Sequence, residues 1–160
     1  MQTNLSDPKL AFEDFQPGRR FALGPKTVTA AEIIDFAEEF DPQPMHLDES
    51  AGRASILGGL AASGWHTSAL FMRMMAESFL IGSNSQGAPG IDFMEWRRPV
   101  LAGDTISGYS TVLEARPLRS RPGIGMVKFR HEVENQNGEL VCLAENSIMF
   151  VLREPQEKPA

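Results

Sequence analysis

One segment constrains the fold of this chain more than any other. Over residues 64–80, Trp65, Ala69, Met72, Ala76 and Phe79 recur at intervals of four and three, with Leu70 and Met75 beside them. A helix that is apolar over so much of its circumference is buried, not laid on a surface. The rest of the chain must therefore wrap around it, and the wrapping material follows directly. From Ile91 the apolar period becomes two, and residues 91–97, 104–113, 126–134 and 140–152 read as strands. Val127, Phe129, His131 and Val133 alternate with polar or basic positions, and Asn137-Gly138 is a hairpin signal.

Upstream of the long helix the elements are shorter. Residues 12–18 form a turn-rich entry and 19–26 a short strand. Thr29 and Glu32 have the spacing of a capping box, and Ile33, Phe36, Ala37 and Phe40 follow along one apolar helical face. Asp41-Pro42 ends that helix, because a residue before proline is pushed out of the helical region. Residues 48–55 suit one short amphipathic helix, and the glycine- and serine-rich stretch 81–90 is a loop. A strand, two helical pieces, a long buried helix and four antiparallel strands make an α+β order. The economical arrangement is a curved antiparallel β-sheet wrapped around a long central helix. It leaves a sheet edge that a second copy can pair, so a homodimer or a dimer-based oligomer is expected.

A length of 160 residues fits a single domain over 1–160, with its core at about 12–151 and loose polar tails. The net charge of −6 and a pI near 5.1 argue against nucleic acid or an anionic membrane as partner. Arg116, Arg119 and Arg121 form a local basic cluster. A solvated loop is its simpler reading, and a contact for a phosphorylated ligand tail the sharper one. The single Cys142 forms no internal disulfide and is expected to be buried. With neither a signal peptide nor a run of the roughly 20 apolar residues that a spanning helix needs, the chain reads as soluble and cytoplasmic.

The residues that carry chemistry lie in Asp41-Pro42-Gln43-Pro44-Met45-His46. Two prolines stiffen this loop, which suits holding two polar side chains in fixed relation. His is the natural acid or base near neutral pH, and a neighbouring carboxylate can orient a water. The plainer alternative makes Asp41 a turn residue and His46 a polar loop residue. Addition of water to a conjugated thioester puts charge on the thioester oxygen, and the free amides at the start of the long helix can receive it. Gly64 suits that role because no side chain blocks close approach. Ser63 is expected to cap the helix with its hydroxyl. His66 is read as a packed, hydrogen-bonded helix histidine, with a place facing the acyl site as the alternative. His131 reads as a half-buried sheet residue, and Met72, Met74 and Met75 as core filler. No spacing suggests a metal site, and no glycine-rich phosphate loop suggests a cofactor.

These residues resemble the MaoC-like family of hotdog-fold dehydratases and (R)-specific enoyl-CoA hydratases. The family's Asp-x-Asn-Pro-x-His pattern is matched by Asp41 to His46, and the pair opening its central helix by Ser63-Gly64. Phe12-Glu13-Asp14-Phe15 with Pro17-Gly18, and Arg98-Pro99-Val100 with Gly103-Asp104-Thr105, look like further family segments. The resemblance spans about residues 12–151. It implies a single hotdog domain in which Asp41 and His46 are the catalytic pair and the Gly64 amide binds the thioester oxygen. The reaction implied is reversible syn hydration of a trans-2-enoyl-CoA to an (R)-3-hydroxyacyl-CoA, with acyl-CoA or an acyl carrier protein thioester as substrate and no cofactor. Gln43 stands where the family has Asn, and Ser63 where His is common. Gln43, Ser63, Trp65 and His66 are the expected substrate-binding residues, with Trp65 at the helix mouth shaping the acyl pocket. Two other functions share the fold: a hotdog thioesterase, for which Glu77 is the only acid on the helix, and a non-catalytic acyl-binding subunit.

Overall fold

The computed structural model describes residues 9–154. Its five strands form one antiparallel sheet in the order β1-β3-β4-β5-β2. They are β1 (Arg20–Thr27), β2 (Phe93–Trp96), β3 (Thr105–Pro117), β4 (Ile124–Glu134) and β5 (Leu140–Val151). Helices α1 (Ala30–Phe40), α2 (Pro44–Leu47), α3 (Glu49–Ala54) and α4 (Gly64–Met75) all precede β2. The sheet wraps around α4, as in the hotdog arrangement.

The helix starts obey the local chemistry. Thr29 Oγ1 accepts the Glu32 amide while the Glu32 carboxylate accepts the Thr29 amide, closing the box that starts α1. Asp48 caps α3 through the Ala51 amide. The supposed loop between Asp41 and His46 contains a helical turn: Pro44 takes the first position of α2, where its missing N–H costs nothing, and His46 rides on that turn.

The face that α4 buries differs from the one expected. His66, Thr67, Phe71, Met74 and Met75 point inward, and Phe79 follows on a π-helical end over Ala76–Leu80. Trp65 and Met72 are 64% and 46% exposed, and Ala69 is exposed as well. The apolar pattern ran nearly round the helix, so spacing alone could not say which stripe met the sheet. Met72 is accordingly not core filler. On α1 the same correction applies to Phe40, which is exposed although Ile33 and Ala37 are buried.

The core is aromatic at one end. Phe15, Phe21, Phe79, Phe129 and Phe150 pack ring on ring, with Phe15–Phe150 and Phe79–Phe129 stacked. On β4, Val127, Phe129, His131 and Val133 are all buried, matching the period of two. His131 is fully buried, not half-buried, and both its nitrogens are engaged, by Ser110 and Asn146. The β4–β5 hairpin turns through Asn135 to Gly138, where Gly138 has φ 72°. Cys142 is buried, and desolvation lifts its thiol to a pKa of about 11.

The ends of the described chain are tied down. Leu10 exchanges backbone bonds with Gly82 and Asn84, and Arg153 pairs with Asp14 while its amide meets Glu13. The rest of both expected loose tails lies outside the described residues. No described helix is long and apolar enough to cross a membrane.

Candidate active site at the mouth of the central helix

Three chain segments converge here. Leu60 and Ala62 form a short ladder with the stretch after β2: the Ala62 amide donates to the Val100 carbonyl (2.8 Å) and the Ala102 amide to the Leu60 carbonyl (2.9 Å). This pins the start of α4 against residues 97–102. The Ala61 carbonyl in turn accepts from His46 Nδ1 at 2.7 Å. A carbonyl only accepts, so Nδ1 carries the proton, and in the neutral ring Nε2 presents a lone pair.

That lone pair faces Asp41. Nε2 lies 3.4 Å from Asp41 Oδ2, with both side chains largely buried. Each carboxylate oxygen also receives a neutral donor: Ser63 Oγ donates to Oδ2 at 2.6 Å and Gln43 Nε2 to Oδ1 at 2.7 Å. The Ser63 bond, then the Gln43 bond, hold the Asp41 carboxyl below its ordinary pKa, so it is an anion at neutral pH. Two acceptors that face each other do not bond directly. A water set to one side of the pair can donate one hydrogen to Nε2 and one to Oδ2, which satisfies both.

Ser63 therefore does something other than expected. Its hydroxyl makes no cap on α4 and instead reaches back to Asp41. The first amides of α4 have no acceptor within the helix, the first helical bond being Thr67 N–H to the Ser63 carbonyl. Gly64 lines the same cavity as His46, of about 290 Å³, together with Met45, Leu57, Ala62, Thr67 and Trp96. A Cβ at position 64 would lie 2.6 Å from the Trp96 ring. Glycine at this position is thus required by the neighbouring indole. The indole lies over it, held by a bond from Nε1 to Ser68 Oγ (3.1 Å).

Of the seven residues singled out from the sequence, Asp41, Gln43, His46, Ser63 and Gly64 come together. Gln43 and Ser63 serve the carboxylate. Trp65 points outward against Trp96 and is not among the residues lining the cavity. His66 is buried under Phe36, and its Nδ1 has no hydrogen-bond partner among the described residues, so packed it is, but not hydrogen-bonded as expected. The residues missed are Trp96, Arg97, Arg98 and Pro99, which wall the cavity. Trp96-Arg97 was read as a strand end and Arg98-Pro99 as part of a family-like segment, yet together they carried a signal of a site wall: a large ring and two cations at a proline stop. The basic cluster of Arg116, Arg119 and Arg121 lies elsewhere, exposed around the β3–β4 turn. Arg116 is level with Met149 on β5 while Trp96 is level with Cys142, so roughly 23 Å of strand separates the two regions.

A central helix wrapped by an antiparallel sheet, with an acid–histidine pair set at the helix mouth, defines a class of hotdog proteins. Within it, the MaoC-like domain model matches residues 14–134, and the chain belongs to the MaoC-like dehydratase family. It is 30% identical over 138 residues to the uncharacterised protein YdeM of Bacillus subtilis (strain 168), covering 84% of this chain and 98% of that one. Among solved structures it is similar to a MaoC-like dehydratase from Rhodospirillum rubrum, at 41% identity and a TM-score of 0.83, covering 91% of this chain and 99% of that one. The R-hydratase PhaJ1 from Pseudomonas aeruginosa shares the fold, at 23% identity and a TM-score of 0.75 over 95% of each chain.

Proposed function

We propose that this protein reversibly hydrates a trans-2-enoyl thioester to an (R)-3-hydroxyacyl thioester, with Asp41, His46 and the Gly64 amide as its catalytic groups. The observation that carries this reading is the opposed pair of acceptors, His46 Nε2 and Asp41 Oδ2, 3.4 Å apart beside the first amides of α4, which have no acceptor within the helix and no side-chain cap among the described residues. A water that donates to both from the side of the pair attacks C3. The C2–C3 π electrons move toward the thioester oxygen, where the Gly64 N–H and the helix dipole stabilise the developing enolate. The water's proton passes to His46 Nε2, and the imidazolium so formed lies against the Asp41 anion. The same side chain then returns a proton to C2 on the face from which water came, which is syn addition. Run backwards, the same groups expel water from the hydroxyacyl thioester.

Arg97 and Arg98 wall the cavity and suit the phosphates of a CoA or acyl carrier arm. A thioesterase reading has less to rest on, since Glu77 is paired with Arg73 and lies about 20 Å along the helix axis from Gly64. We also infer a homodimer. The outer edge of β2 is unpaired in the sheet order, and Trp65, Met72, Ile91 and Trp96 leave an exposed apolar surface beside it.

A panel of short, long and branched trans-2-enoyl-CoAs tests the reading. Loss of enoyl-thioester absorbance without release of free thiol is the expected result. Thiol release would replace hydration by hydrolysis, and unchanged absorbance across the panel would refute the proposal.

A further inference from the structure

His46 and His131 both have ring nitrogens on protein partners, whereas His66 Nδ1 is shut away from solvent with none among the described residues. His66 as a whole is 5% exposed, and its ring lies parallel to Phe36 at 4.7 Å. A side chain kept only to pack on Phe36 has no use for nitrogens, because an unpaired buried polar atom destabilises the fold. Burial holds the imidazole below its ordinary pKa, the nearby charges of Glu32 and Lys26 opposing each other, so the ring is neutral and offers one donor and one acceptor.

Its position links two spaces. His66 follows Gly64 by two residues, about 3 Å along the helix axis, and its neighbour Thr67 lines the His46 cavity. One turn on from His66 in α4 and one turn back from Phe36 in α1, Leu70 and Glu32 line a second cleft of about 510 Å³ between β1 and α4, with Ala22, Met74 and the Lys26–Glu32 and Arg73–Glu77 ion pairs. On α4, His66 thus falls between Gly64 and Thr67, which line the His46 cavity, and Leu70, which lines the second cleft, although its own ring lines neither space. We infer that His66 is a specificity residue that hydrogen-bonds an oxygen carried by the acyl group beyond C3, so that the substrate is an oxygenated acyl thioester and not a plain alkyl one. This rests on the thioester reading above.

The test is calorimetric binding of three saturated thioesters that cannot be hydrated: pentanoyl-CoA, 4-oxopentanoyl-CoA and glutaryl-CoA. The last two separate a neutral from an anionic oxygen. One of them is expected to bind wild-type protein about tenfold more tightly than pentanoyl-CoA, the worth of one buried hydrogen bond. His66→Phe should reduce that preference to within about twofold, and His66→Asn should keep most of it. Equal or tighter binding of pentanoyl-CoA by the wild type overturns the inference, as happens if a trapped water serves the nitrogen. A preference surviving in His66→Phe overturns it too, and the wild-type comparison decides alone if that variant fails to fold. Binding of all three without preference removes the inference only. Binding of none removes the thioester reading with it.

Discussion

Asp41 has its charge and its direction set by two neutral donors, and the stronger influence comes from a residue in another segment. Ser63 Oγ and Gln43 Nε2 each take one carboxylate oxygen, and the Ser63 bond is the leading cause of the lowered pKa. In Ser63→Ala that cause is gone, so Asp41 takes up its proton at a higher pH. The acid limb of the kcat/KM profile should move to higher pH, and turnover at neutral pH should fall about tenfold as the carboxylate loses its fixed orientation. A pH–rate profile of the variant checks this. The Asp41–His46 pair was legible in the sequence because two prolines within five residues betray a stiffened segment. The Ser63 contact was not. It joins positions 22 residues apart, and Ser before a helix start has a commoner use as a cap, which the local pattern favours. His66 was singled out in the sequence, but its unpartnered Nδ1 was not foreseen, since the absence of a partner leaves no mark on the chain.

Among the elements, α4 is positioned by both its ends. Its start is held by the Leu60–Ala62 ladder and covered by Trp96, and its other end by the aromatic cluster around Phe79. Gly64→Ala puts a Cβ into the indole ring, so Trp96 must move and the cavity wall moves with it. Activity should drop at least about a hundredfold with the far-ultraviolet spectrum unchanged, the size of effect expected when an oxyanion donor is displaced. On α1, Thr29→Ala removes a complete capping box and should cost about 1 kcal/mol in urea unfolding. The capping box could be read ahead because its chemistry is local. The buried stripe of α4 could not, because His66 and Thr67 face inward while Trp65 and Met72 face out, against the order of hydropathy. What decides this is the tertiary surroundings: β2 brings Trp96 to Trp65, and α1 brings Phe36 to His66.

For the whole molecule, pH acts through a buried histidine. Burial lowers the pKa of His131 to about 4, against an ordinary value near 6.5. Between those values the unfolded chain binds a proton that the folded chain refuses. The unfolded state thus holds more protons, stability rises with pH, and it falls as pH drops from about 6.5 toward 4. The loss over that window is about 3 kcal/mol at most, with His66 adding in the same direction. Urea unfolding from pH 7 to 4.5 should show the slope, and His131→Gln should flatten it. Assembly is the other property at this scale. Sedimentation should give about twice the 17.6 kDa chain mass, and Trp96→Lys on the β2 edge should shift it toward one chain. The wrapped sheet itself was readable from the change of period at residue 91, because a sheet around one buried helix leaves few arrangements of five strands.

Asp41, His46 and the Gly64 amide are proposed to add water together across a conjugated thioester. Incubation with the enoyl-CoA of the panel that reacts fastest, followed by chiral analysis of the 3-hydroxyacyl product, tests it most directly. Wild-type protein is expected to give the (R) product, and Asp41→Asn and His46→Asn each to lose at least about a thousandfold in rate with the fold retained. An (S) or racemic product, or a folded double variant that turns over normally, would contradict it.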